Sequence, residues 1–131
     1  MVGLEGSAER CGEICLVEVF GNTIENGTAA LGQGIHKFRD PALVEDFTAE
    51  RHTIDVGQPH AHQVRWRPGE TTFLIDGAVT RTLAQASEYP MMLILGVFDF
   101  PDVPGDLTIT PSMTVSRVSG TDLGNGSLIA R

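Results

Sequence analysis

Two glutamates stand five residues apart in an apolar, β-prone run, Gly12-Glu13-Ile14-Cys15-Leu16-Val17-Glu18-Val19-Phe20-Gly21. Side chains of a regular strand alternate between faces, so residues five apart point opposite ways. One extra residue, a β-bulge, returns Glu13 and Glu18 to one face with Cys15 between them. Two carboxylates on one cleft are the minimum equipment for splitting a glycosidic bond, one as acid/base and one as nucleophile. A thiol between two carboxylates has its pKa raised, stays neutral and donates weakly, or it serves only as a small buried hydrophobe. As solvent-facing charges on an edge strand, the same glutamates would only discourage aggregation.

The run resembles the active-site strand of glycoside hydrolase family 16, the laminarinases, lichenases and related β-glucanases, whose bulged motif is Glu-x-Asp-x-x-Glu. Glu13 falls on the nucleophile, Glu18 on the acid/base and Cys15 where the family has aspartate. The stretch from His60 to Trp66, then Pro68-Gly69 and Phe73-Leu74-Ile75-Asp76-Gly77, is similar to the family's His-x-Tyr-x-x-x-Trp strand and following hairpin, with His62 at the tyrosine position. Pro90 to Val97 resembles the late Pro-Met-x-Leu-x-Leu-Asn strand, with Gly96 in the asparagine's place. Met113 to Val118 resembles the closing strand, with Ser116 where an aspartate often helps bind calcium.

The resemblance implies an all-β fold, a concanavalin A-like jelly-roll β-sandwich. With 131 residues, the chain is shorter than the roughly 200–250 residues common for such sandwiches. It is expected to be the C-terminal portion of such a domain, over residues 1–120, or a shrunken relative. A Gly-, Ser- and Asn-rich tail follows over residues 121–131. Half a sandwich leaves bare strand edges, so a homodimer is expected.

The elements that must position the glutamates follow from pattern. Glu13–Phe20 reads as a strand, and Ala29–Phe38 as a second, interrupted by Gly32 and Gly34. Asp40-Pro41 suits the start of a short helix through about Asp46. Phe47–Val56 is extended. Gln63–Arg67 and Thr71–Ile75 form a hairpin across Pro68-Gly69, and Asp76-Gly77 turns the chain into Val79–Leu83. Ala84–Tyr89 suits a helical turn. Met91–Phe98 is apolar throughout, as in a strand buried on both faces. Leu107–Thr110 and Met113–Val118 read as the last strands.

Composition narrows the partners. The formal charge is −8, with no basic patch, so nucleic acid and anionic polysaccharides are disfavoured and a neutral glucan is not. No apolar run is long enough for a membrane helix, and no signal peptide opens the chain. Cys11 and Cys15, on one strand, would lie roughly 13 Å apart at about 3.3 Å per residue, beyond the reach of a disulfide. Free thiols lean toward a reducing compartment, whereas family 16 members are usually secreted.

His36, on the next strand, and the late aromatics Phe98, Tyr89 and Phe100 are candidates to meet substrate, as is His60. The phase of Trp66 with Val64 places it in the core. His60 and His62, two apart, could offer a metal two ligands, as in a cupin, but the next carboxylate is Glu70, beyond the turn, and no second histidine motif follows. The sequence implies no cofactor and no metal. It supports a retaining endo-β-glucanase acting on 1,3- or mixed-linkage β-glucan, with Glu13 and Glu18 catalytic, Cys15 between them, and His36, His60 and Phe98 binding substrate. The alternatives are a non-catalytic carbohydrate-binding or degenerate β-sandwich and, more distantly, a cupin-like metalloprotein.

Overall fold

A computed structural model of the chain describes residues 1–3, 6–98, 100 and 110–121. The protein is all-β, with two antiparallel sheets packed as a sandwich. Among the described residues eight strands follow in chain order: β1 (Val2–Gly3), β2 (Glu13–Val19), β3 (Thr28–His36), β4 (Asp46–Thr53), β5 (His62–Arg67), β6 (Glu70–Ile75), β7 (Ala78–Leu83) and β8 (Met91–Met92). The larger sheet runs β4-β3-β2-β1-β8 and the smaller β5-β6-β7. The chain thus leaves the first sheet after β4, builds the second as a meander, and returns to the first at β8.

Turn chemistry places the meander. Gly69 has φ 77°, and Asp76 and Gly77 have φ 50° and 83°, the doubly left-handed pair that suits a two-residue hairpin. The Asp76 carboxylate also accepts from Ala61 N–H at 2.8 Å. The two sheets meet through Ile14 and Ile35 of the first and Phe73 and Leu83 of the second, joined by Leu43 and Met91, with Val64 and Trp66 packed against them. Trp66 therefore lies toward the core, as its phase predicts. A second cluster, Ala29, Leu31 and Ile54 with Val17, Val56 and Ile75, closes the other end.

Several expectations are corrected. The helix over residues 40–46 does not form. Asp40 Oδ1 does accept from Ala42 N–H at 2.8 Å, but the next turn never follows. Leu43 is drawn into the core, and Gln85 holds both backbone groups of Val44 at 2.9 Å. No helical turn forms over residues 84–89 either. Met91–Phe98 is not a buried strand. Pairing with β1 stops at Met92, and Ile94, Leu95, Val97 and Phe98 are exposed, because no described strand extends β1 to pair with them. Met113–Val118 forms no strand, and Met113, Val115 and Val118 are exposed, as is Ser116. The strand expected from Leu107 and most of the tail lie outside the described residues.

Candidate active site

The register of β2 on β3 builds the site. Glu13 pairs with His36, Cys15 with Gly34 and Glu18 with Gly32. His36, Gly34 and Gly32 alternate along β3 and share a face, and directly paired residues share it too. Glu13, Cys15 and Glu18 therefore lie on one face, opposite to the Ile14–Ile35 face that packs on the second sheet. From Cys15 to Glu18 β2 advances three residues while β3 advances two, a one-residue bulge, the device that the five-residue spacing requires.

A bulge leaves a backbone group out of the ladder. Gln33 points from β3 to the opposite face and takes it up: its Nε2 donates to the Leu16 carbonyl at 3.2 Å, and its Oε1 accepts from Thr80 Oγ1 at 2.7 Å. Gln33 is buried, so the second sheet helps hold the bulge. Arg81 of β7 completes the brace. It donates to the Gln33 carbonyl at 2.5 Å and to Thr48 Oγ1 at 2.7 Å, and pairs with Asp46.

Cys15 reports on both carboxylates. The thiol is buried, 8% exposed, and lies 4.0 Å from the Gly32 carbonyl. Burial pushes its pKa up to about 12, and the charges of Glu13 and Glu18 push the same way. The thiol thus stays protonated at any working pH and adds no third charge to the site. Cys11 and Cys15 are both free. A thiol alkylating agent at mildly alkaline pH is therefore expected to label the half-buried Cys11 in the folded protein and to spare Cys15, since the thiolate is the reactive form. Peptide mapping reads the outcome, and equal labelling of both would contradict this environment for Cys15.

Aromatic rings line the strand beside the glutamates. His36 stacks on Phe47, with ring centroids 4.4 Å apart, and on Phe38, at 5.9 Å. Phe47 stands opposite Gly34 in β4. Its ring reaches over Gly32, where it would collide with an added Cβ, and Phe20 approaches the same point at 3.2 Å. Gly32 leaves the space that the Phe47 ring covers, and Gly34 leaves room for the backbone of Asp46 and Phe47 in β4. Glu45 fixes the histidine: its Oε1 lies 2.6 Å from His36 Nδ1, and its Oε2 accepts from Lys37 N–H at 2.9 Å. The Lys37 N–H, then His36, hold the Glu45 carboxyl below its usual pKa. Sequence reasoning placed His36 here and missed Phe47, Phe38, Glu45 and Gln33. Gly32 was the available signal for a covering ring.

His60 and Phe98 are not brought to this face. His60 precedes β5 in the second sheet, on the far side of the core, and both ring nitrogens are engaged, Nδ1 with Asp76 Oδ2 at 2.7 Å and Nε2 with the Asp55 carbonyl at 2.9 Å. Asp76 raises the His60 pKa, and the Ala61 N–H chiefly lowers that of Asp76. His60 is a clip on the hairpin. Phe98 lies beyond β8, outside the paired part of the sheet, 73% exposed, with its ring against Gly96. Tyr89 is no sugar platform either. It is buried, its hydroxyl donating to Asp40 Oδ2 and accepting from Gly12 N–H, both at 2.7 Å, which anchors the entry to β2. Burial lowers the His62 pKa. Among the described residues no three of His, Cys, Asp and Glu come together as metal ligands, so a cupin-like centre has no donor set there. Among them too, no helix is long and apolar enough to cross a membrane. Compared with known proteins, the chain matches no family model, no characterised protein and no solved structure.

Proposed function

We propose that the chain is a retaining endo-β-glucanase of the glycoside hydrolase family 16 kind, acting on 1,3- or mixed-linkage β-glucan. The observation that carries this is the bulge, which turns two carboxylates five residues apart to one face with a thiol between them. Glu13 attacks the anomeric carbon as Glu18 protonates the departing glycosidic oxygen, giving a glycosyl-enzyme. Glu18 then takes a proton from water as the water oxygen attacks that carbon and releases Glu13. The neutral Cys15 lacks the charge and the acceptor oxygens that the family's aspartate supplies, so turnover is slow. The test is release of reducing ends from laminarin and from mixed-linkage glucan. Release from either supports the reading. Binding of both without release would favour the second reading, a carbohydrate-binding sandwich, for which the thiol at the centre of the motif speaks.

The same reading includes a second copy of the chain as partner. Ile94, Leu95, Val97 and Phe98, and Met113, Val115 and Val118, are each about half or more exposed, and exposed apolar side chains in such numbers favour cover by another chain. Light scattering over a dilution series is expected to find a dimer. A monomer at every concentration, with cooperative unfolding, would contradict it.

A further inference from the structure

We propose that Phe38 is the sugar-stacking residue of the glutamate face, with His36 and Phe47 as the residues that position it. Resting on the glucanase reading, this names the subsite where a neutral glucose ring is held.

Three observations converge on Phe38. It is 56% exposed, so one aromatic surface is open to solvent. It has φ 46°, a left-handed conformation that a bulky residue adopts only when its surroundings impose it. And its ring is braced from behind, in a column Phe38–His36–Phe47 whose neighbouring planes lie within about 30° of parallel. His36 is directly opposite Glu13, so the central ring of the column stands beside a carboxylate of β2, and Phe38 follows in the turn that Asp40 N–H closes on the Lys37 carbonyl. Glu45 stops the histidine from turning.

The chemistry of the occupant follows from the surface. A strained, exposed phenyl gives little to folding, since its burial is small and its backbone is unfavourable. What it offers is a flat apolar face stacked on His36, the residue opposite Glu13. The C–H face of a β-linked glucose ring fits that pairing, covering the phenyl while its hydroxyls donate to the carboxylates. A chain of charge −8 repels an anionic sugar from the same place.

The backbone strain makes the test selective. Glycine adopts φ 46° without cost, so Phe38→Gly is expected to keep or raise the melting temperature. It should weaken binding of a β-1,3-glucan hexasaccharide about tenfold, the scale of losing one buried aromatic contact. Phe38→Asn, which also tolerates left-handed backbone, provides the same loss should the glycine variant unfold, and Phe38→Tyr retains binding. Calorimetric titration is run on wild type, these variants and Glu18→Gln, which removes turnover but leaves the aromatic column. Unchanged affinity in a folded Phe38→Gly or Phe38→Asn would overturn the subsite and leave the glucanase reading intact. A wild-type chain that neither binds nor cleaves the hexasaccharide would overturn both.

Discussion

Glu18→Gln is expected to lower hydrolysis of laminarin about a thousandfold, the typical yield of a positioned general acid–base, and Glu13→Gln to lower it at least as far. Both glutamates are half-buried on the open face of the sheet, where isosteric replacement changes stability by about 0.5 kcal/mol or less. Lost activity would then come from lost chemistry. Substrate choice separates the two roles. An aryl glucoside whose leaving group departs without a proton should be attacked at a near-normal rate by Glu18→Gln, because Glu13 is still a nucleophile. Glu13→Gln should fail on both substrates, since no glycosyl-enzyme can form. Equal residual activity on the aryl glucoside in the two variants would contradict the assignment of roles.

Gln33→Leu is expected to be the most damaging single change away from the glutamates. The side chains are similar in volume, so no large cavity opens. What is lost is the donor to the Leu16 carbonyl at the bulge and the acceptor for Thr80 Oγ1. The hydroxyl keeps the Phe73 carbonyl at 3.2 Å, whereas Leu16 falls in the register gap between Cys15 and Glu18. Losing the partner of a part-buried carbonyl costs about 1–3 kcal/mol. For a domain of this size that is a fall of roughly 5–10 °C in melting temperature. Activity should fall further than stability requires, because a relaxed bulge lets Glu18 turn away from Glu13. Thermal denaturation with parallel assays at a temperature where the variant is folded separates the two effects. A variant with wild-type melting temperature and rate would show that the bulge holds without Gln33.

The central strand was legible in the sequence because its signal is arithmetic. Residues five apart can share a face only through a bulge, and β2 contains one at that place. The two hairpins were legible for a similar reason: Pro68-Gly69 and Asp76-Gly77 leave few backbone options, and Gly69, Asp76 and Gly77 take positive φ. What could not be read was tertiary. Residues 40–46 have a helix start, yet Gln85, forty-one residues away from Val44, holds the chain extended. Met91–Phe98 has the pattern of a buried strand, but a pattern cannot supply the neighbouring strand that buries it. The His36–Phe47 contact joins β3 to β4, and only the glycine at 32 hinted at it. His60 belongs to the same class, because a histidine that serves a hairpin and one that serves a substrate look alike before Asp76 and Asp55 are placed beside it.

The most direct measurement is to trap the glycosyl-enzyme. A fluorinated laminaribiosyl donor with a good leaving group forms the intermediate faster than water removes it. Intact mass after incubation should rise by one laminaribiosyl unit, and peptide mapping should place the adduct on Glu13 in wild type and in Glu18→Gln. No adduct should form in Glu13→Gln. An adduct on another residue, or none at all from a wild-type chain that also leaves laminarin uncut, would contradict the account.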